Sequence, residues 1–245
     1  MTDKLTIETA VTYADVDRDE AMLLPRIFKL LQEAAIRHAN QFETGTRAMA
    51  TRGETWVLNR IAVGVRRYPR FEDVLRVETW SSGIRGFKGY REFRVFDAAG
   101  ETVVEGSSLW VYVSVRTKGI VRVPRDVAEG FPVWSDGVFC PELERWEVEP
   151  PTVEGARVVP VTLRYSDFDV NRHVNNAAYL DLVQTALAAG GGEARPAKVR
   201  VKFAKAIPAE CAAVEVKVAA GRRRFSVEGG GVVFAVGEVD EGVGA

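Results

Sequence analysis

The sequence predicts an α+β protein built from two tandem copies of one unit, each a long helix followed by an antiparallel sheet. Three observations carry that expectation. The chain repeats itself faintly: Tyr13-Ala14-Asp15-Val16-Asp17 returns as Tyr165-Ser166-Asp167-Phe168-Asp169, an offset of 152 (165 − 13), and the same offset takes Gln32 onto Gln184. Each opening then runs into apolar residues at helical spacing. These are Ile27, Leu30, Leu31, Ala34 and Ala35 in one copy and Tyr179, Leu182, Val183, Ala186 and Leu187 in the other. Alternating apolar and polar residues follow each helix, divided by short turns that contain glycine.

In the first copy the alternation predicts strands over 56–67, 75–80, 90–96 and 109–115, with a turn at Asp97-Ala98-Ala99-Gly100. The second helix is expected to stop at Gly190-Gly191-Gly192. Strands over 199–203, 212–218, 224–228 and 232–236 follow, with a turn at Glu228-Gly229-Gly230-Gly231. A sheet needs one face covered, and within each half the helix is the available cover. Residues 141–156, with Pro150-Pro151 and many acidic side chains, read as a linker between domains 1–140 and 157–245.

The 245 residues are 47% hydrophobic and 27% charged, an ordinary globular composition, and the net charge of -1 gives no nucleic-acid signature. Basic clusters at Arg66-Arg67, 198–205 and 222–224 read as solvated sheet faces. Two cysteines, Cys140 and Cys211, do not make a disulfide framework, so a reducing compartment is the default. The segment from Met1 lacks a signal-peptide pattern, and no apolar run approaches the roughly 18 residues that span a bilayer. A soluble cytoplasmic protein is expected, with no membrane or nucleic-acid partner. His38 and His173 stand far apart and nothing near them has zinc-ligand spacing; no glycine-rich phosphate loop precedes a helix. Neither a metal nor a cofactor is therefore expected. His38 reads as a cation favoured by the C-terminal end of the first helix. Trp134, Phe139 and Cys140 read as packing residues.

The densest chemistry lies at Asp167-Phe168-Asp169-Val170-Asn171-Arg172-His173-Val174-Asn175-Asn176. Asp and Asn cap helices well, but capping needs one or two such residues and has no need of His173.

This segment resembles the acyl-acyl-carrier-protein thioesterase family, whose members carry Asp-x-Asp-x-Asn-x-His-Val-Asn-Asn followed by a tyrosine in the same helix. Here the matching residues are Asp167, Asp169, Asn171, His173, Val174, Asn175, Asn176 and Tyr179. The family's next motif, a Glu-Cys pair on a strand, is matched by Glu210-Cys211, 38 residues after His173 (211 − 173). Leu30-Leu31-Gln32-Glu33-Ala34, Arg66-Arg67-Tyr68-Pro69, Val77-Glu78-Thr79-Trp80 and Leu109-Trp110-Val111 extend the resemblance across nearly the whole chain. It implies a tandem hotdog fold, a long helix wrapped by an antiparallel sheet in each half. It implies release of free fatty acid from the phosphopantetheine arm of acyl-carrier protein, which ends chain elongation. Asp169, Asn171, His173 and Glu210 fall on the family's catalytic positions, and Cys211 on a cysteine once taken as the nucleophile. Pro208-Ala209 stand where members often have arginines, Thr185 where many have an acid, and the plastid leader of plant members is missing. The missing leader is expected of a bacterial-type member, and the changes at Pro208-Ala209 and Thr185 bear on carrier-protein docking and chain-length preference.

Thioester hydrolysis needs an activated water, donors for the oxyanion and a proton for the departing thiolate. Glu210 is assigned as general base, worth about 10²–10⁴-fold. Asn171 and His173 are expected to orient carbonyl and water, Asp169 to hold one of them, and the helix beginning near Val174 to offer N–H groups to the oxyanion. Strand parity puts Glu210 in phase with Ala212, Val214, Val216 and Val218. Glu210 is thus expected to face inward, where partial desolvation raises its pKa, and Cys211 to face away as the lesser candidate nucleophile. In the first copy Asn171 matches Asp19 and His173 matches Ala21. Aligning Pro69 with Pro208 sets Phe71 opposite Glu210, so the first copy is expected to bind the acyl chain. An acyl-CoA thioesterase and a non-catalytic acyl-binding protein are the competing readings, and a homodimer is compatible with all of them. A hotdog dehydratase would need a different spacing.

Overall fold

A computed structural model describes residues 4–42, 45–152, 154–189, 194–219, 221 and 223–242. Gly190, Gly191, Gly192 and Arg222, which figured in the expectations above, lie outside the described residues. The chain divides into two compact units, one of residues up to Met22 with Lys29–Arg145, the other of Leu23–Phe28 with Trp146–Ala245.

In N-terminal to C-terminal order the first copy comprises β1 (Lys4–Ala10), a 3-10 turn (Tyr13–Asp15), α1 (Leu24–Ala39), α2 (Thr46–Arg52), β2 (Glu54–Val65), β3 (Val74–Arg85), β4 (Lys88–Phe96), β5 (Thr102–Ser114) and α3 (Arg125–Glu129). Its strands are antiparallel in the order β1-β3-β4-β5-β2. The second copy comprises β6 (Arg157–Thr162), a 3-10 turn (Tyr165–Asp167), α4 (Asn176–Ala188), β7 (Pro196–Phe203), β8 (Ala213–Val218), β9 (Arg224–Gly229) and β10 (Val232–Gly242). Its antiparallel order is β6-β8-β9-β10-β7, the same order with β6 in the place of β1. The duplication is thus structural, and each copy is a long helix with an antiparallel sheet, the hotdog arrangement. One expectation needs correction: a strand also precedes each helix. β1 and β6 are sheet edges, and half-buried residues alternating with exposed ones give them a weak apolar signal.

The two helices bury their faces differently. Along α1, Leu24, Ile27, Phe28, Leu31, Ala34, Ala35 and His38 are buried, a stripe of helical period. Glu33 and Arg37 pair at 2.6 Å on its exposed side. α4 is buried nearly all round, from Ala177 to Leu187, and packs on β8 and β9. In β8, Val214, Val216 and Val218 are buried and alternate with exposed Ala213 and Glu215.

Residues 139–147 are tied down. The Phe139 ring lies over Gly64, and Cys140 and Leu143 are buried with Ala62 and Leu109. Glu144 accepts from Lys88 Nζ (2.6 Å) and Tyr90 Oη (2.7 Å). Trp146 Nε1 donates to Glu238 Oε1 at 3.1 Å, and Glu147 pairs with Lys202. Trp134, expected as a packing residue, is half-exposed, with Lys4 Nζ 4.6 Å from its ring centroid. Among the described residues no helix is long and apolar enough to cross a membrane.

Candidate active site

The Asp/Asn/His segment forms a folded loop. Asp167 is buried, its carboxylate taking the Arg164 N–H (2.7 Å) and guanidinium (2.8 Å). The Asp167 carbonyl accepts from Asn175 N at 2.8 Å. Asp169 N donates to His173 O (2.9 Å), Arg172 N donates to Asp169 O (3.0 Å), and Asp169 Oδ1 accepts from Asn171 N (2.8 Å). Asp169 therefore holds the main chain of Asn171 rather than its side chain. The loop closes because Arg172 adopts φ 61°, a left-handed conformation uncommon outside glycine.

α4 begins at Asn176, two residues later than expected. Asn175 is its N-cap, with Oδ1 accepting from Ala177 N at 2.9 Å. Ala178 N bonds Asn175 O, so Asn176 is left as the first-turn amide without a partner among the described residues. The oxyanion reading therefore narrows from a helix end to the Asn176 amide.

The second motif is brought alongside. His173 and Pro208 form an antiparallel bridge, and Val174 N donates to Ile207 O at 3.0 Å. Residues 208–211 then turn, with Cys211 N donating to Pro208 O at 3.1 Å. Here the parity argument fails: β8 starts only at Ala213, so Glu210 sits in a turn and is exposed. It lacks the burial on which the expected desolvation rested. Cys211 is half-buried, and its Sγ donates to Ala213 O at 3.1 Å. Asn171 and His173 are exposed, and among the described residues no hydrogen bond links the side chains of Asn171, His173 and Glu210. The fold thus brings the two motifs together at the main chain and leaves the three side chains open to solvent.

Sequence reasoning placed Tyr179 in the apolar stripe and gave its hydroxyl no role. That hydroxyl accepts from Ile207 N (3.0 Å) and donates to Lys205 O (3.3 Å). Burial raises its pKa. A polar tip in an otherwise apolar stripe was the available signal.

The first copy repeats this backbone. Asp17 N donates to Ala21 O, Asp19 N to Asp17 Oδ1 and Glu20 N to Asp17 O, and Glu20 has φ 62°. Ala21 bridges Arg70 as His173 bridges Pro208, and Asp73 N donates to Arg70 O as Cys211 N donates to Pro208 O. Those pairs match Arg70 with Pro208, which sets Glu72, not Phe71, at the place of Glu210. The first copy thus keeps an acid there and lacks only the imidazole and the asparagine. Tyr13, Val16, Asp17, Arg18, Glu20 and Phe71 line an open cleft of about 390 Å³ beside this loop.

His38 is no helix cap. It is fully buried, with Nδ1 2.9 Å from Arg91 Nη1 and Nε2 without a hydrogen-bond partner among the described residues. Burial, then the Arg91 charge, lowers its pKa to about 4, so it is neutral where a dipole-stabilised cation was expected. No group of three or more His, Cys, Asp or Glu able to hold a metal ion occurs among the described residues.

Comparison with known proteins adds two kinds of likeness. The acyl-ACP thioesterase N-terminal domain family matches residues 3–131 and the acyl-ACP thioesterase C-terminal domain family matches 152–221. The chain is 32% identical over 179 residues to a chloroplastic palmitoyl-acyl carrier protein thioesterase of Arabidopsis thaliana, covering 68% of this chain and 43% of that protein. It is 32% identical over 186 residues to a chloroplastic dodecanoyl-[acyl-carrier-protein] hydrolase of Cinnamomum camphora, covering 71% and 48%. The chain thus spans about half the length of the curated relatives it matches. The solved 12:0-ACP thioesterase from Umbellularia californica superposes with a TM-score of 0.84 at 24% identity, covering 98% of this chain and 97% of that one, a likeness of fold.

Proposed function

The chain belongs to the acyl-ACP thioesterase family, and from that premise we propose that it hydrolyses fatty-acyl thioesters on acyl-carrier protein, releasing free fatty acid. The observation that carries the reading is the seating of the 208–211 turn against the His173 loop at the start of α4. That juxtaposition seats the turn that carries Glu210 against the loop that carries Asn171, His173 and Asn176, which supports a site drawn from two separate motifs. In the proposed reaction water adds to the thioester carbonyl carbon and gives its proton to Glu210. The oxyanion is met by the Asn176 N–H, with Asn171 and His173 orienting the reactants. The C–S bond then breaks, and the pantetheine sulfur leaves as a thiol after taking that proton. Catalysis is assigned to domain 157–245 and hydrocarbon binding to domain 1–140. A cytoplasmic place of action suits Cys140 and Cys211, neither of which is joined in a disulfide among the described residues.

The test is free-thiol release from acyl-carrier-protein and acyl-CoA thioesters of graded chain length. Faster release from the carrier protein is expected. His173→Ala and Asn171→Ala should each lower turnover by about 10²–10⁴-fold with circular dichroism unchanged. A wild-type chain that binds these thioesters without releasing thiol would be an acyl-binding protein instead.

A further inference from the structure

Two turns at equivalent places in the duplicated fold are held in different ways, and the difference singles out one side chain. In the first copy the 70–73 turn holds itself: Asp73 Oδ2 accepts from Arg70 N (3.0 Å) and from Arg67 Nη1 (2.8 Å). The 208–211 turn cannot repeat this. Pro208 stands where Arg70 stands and has no N–H to give, and Cys211 stands where Asp73 stands and has no carboxylate to receive one. Among the described residues the only main-chain bond closing that turn is Cys211 N to Pro208 O.

A hold from outside replaces the missing one. Tyr179 lies in the first turn of α4, and its buried hydroxyl bonds both Lys205 O and Ile207 N, immediately before Pro208. The Phe203 ring packs edge-on to the Tyr179 ring at 5.3 Å, and Ile207 is fully buried, so the hydroxyl is fixed on both sides. At the 152 offset the first copy has Ile27, which carries no hydroxyl, and there the turn has its own aspartate. Self-held turn with isoleucine, or helix-held turn with tyrosine: each copy has one complete arrangement.

We propose that Tyr179 is a positioning residue: its hydroxyl, bridging Lys205 O and Ile207 N, fixes the 208–211 turn and with it Glu210 beside the His173 loop. The assignment rests on the hydrolase reading above, since that reading gives Glu210 its role. The same bridge ties α4 to the segment between β7 and β8 that carries Val174's acceptor, Ile207 O. One hydroxyl thereby sets the relation of both motifs.

Tyr179→Phe removes the hydroxyl and keeps the ring. With acyl-carrier-protein thioester as substrate, kcat should fall about 10-fold or more while KM stays within about twofold, because the hydrocarbon and carrier contacts are untouched. The Ile207 amide should exchange with solvent at least about 10-fold faster than in the wild type, while Val201 in β7 is unchanged. Val227→Ala, a fully buried core change in β9 with a comparable fall in Tm, should leave kcat near wild type. The proposal is overturned if Tyr179→Phe keeps wild-type kcat, or if Val227→Ala loses as much. Should Tyr179→Phe fail to fold, the wild-type chain decides: an Ile207 amide that exchanges like an exposed one overturns the bridge. A wild-type chain with no hydrolysis but a protected Ile207 amide sinks the hydrolase reading and with it the role given to Tyr179.

Discussion

At Glu210 and Cys211 the chain turns instead of extending, and this changes what each residue can do. In the proposed reaction the Glu210 carboxylate, exposed on this turn, acts without being buried beforehand. The Cys211 thiol is engaged with Ala213 O. Glu210→Gln is therefore expected to lose about 10²-fold or more in turnover with folding intact. Cys211→Ala should keep most activity. An acyl-enzyme detected by mass spectrometry, together with a dead Cys211→Ala, would make Cys211 the nucleophile and end the water-attack mechanism. A second prediction concerns two buried groups on or facing β4. Glu92 accepts from Ser82, Ser107 and Phe139 N, yet burial raises its pKa from 4.5 to about 7. The folded chain thus holds a proton at Glu92 that the unfolded chain has released, and its stabilisation is lost as pH rises from 4.5 to 7. His38 has the opposite sign: its pKa falls from 6.5 to about 4, so stability is lost as pH falls from 6.5 to 4. Each amounts to about 3 kcal/mol at about 1.4 kcal/mol per pKa unit. Between pH 4.5 and 6.5 the slopes oppose, and wild-type urea midpoints should be nearly flat. Glu92→Gln should uncover stability that rises with pH across that window. A flat Glu92→Gln profile would show that His38 does not titrate as its burial requires. Neither burial nor partner was legible at these positions, since His38 and Glu92 are 54 residues apart (92 − 38) and meet the same sheet only in the fold.

At the scale of elements, the helices and most strands followed from periodicity, and the misses have physical causes. The strands before each helix were hidden because an edge strand packs little of either face. Strand ends also ran past their expected limits: β5 begins at Thr102, seven residues before the reading at 109, where Val103 and Val104 are buried in succession and break the alternation. In β10 close packing is decided at one position. A Cβ on Gly237 would stand 2.3 Å from the Phe225 ring and 2.4 Å from Arg200 O, on the strands at either side. A ring can shift, but the Arg200 carbonyl belongs to the ladder. Gly237→Ala should therefore cost about 1–3 kcal/mol, read as a lower urea midpoint at unchanged m-value. A midpoint equal to wild type would show that β10 can move away from β7 without loss.

At the scale of the whole molecule the proposed reading gives different work to two copies with the same frame. If the first copy takes the hydrocarbon, filling space at the buried Ala34 or Ala35 should shorten the preferred acyl chain. Thiol-release profiles of Ala34→Val and Ala35→Val across chain lengths check this. Unmoved profiles there, with profiles moved by changes in the second copy, would reverse the assignment. Chelator treatment should leave activity unchanged, since the chain's two histidines and two cysteines nowhere assemble a ligand set among the described residues. Loss with chelator and recovery with zinc would contradict that. The sequence by itself determined the repeat, the helix-and-sheet composition of each copy and the two motifs, because periodicity, capping residues and motif spacing are local properties of the chain. Only the tertiary structure decided that the two motifs meet through a His173–Pro208 bridge, that Glu72 is the counterpart of Glu210, and that the Tyr179 hydroxyl bonds Lys205 O and Ile207 N. These depend on register between segments some 30 to 50 residues apart, and a one-residue slip in register exchanges every inward and outward side chain. Spacing along the chain carries no such register; the hydrogen bonds that fix it form only when the sheet does.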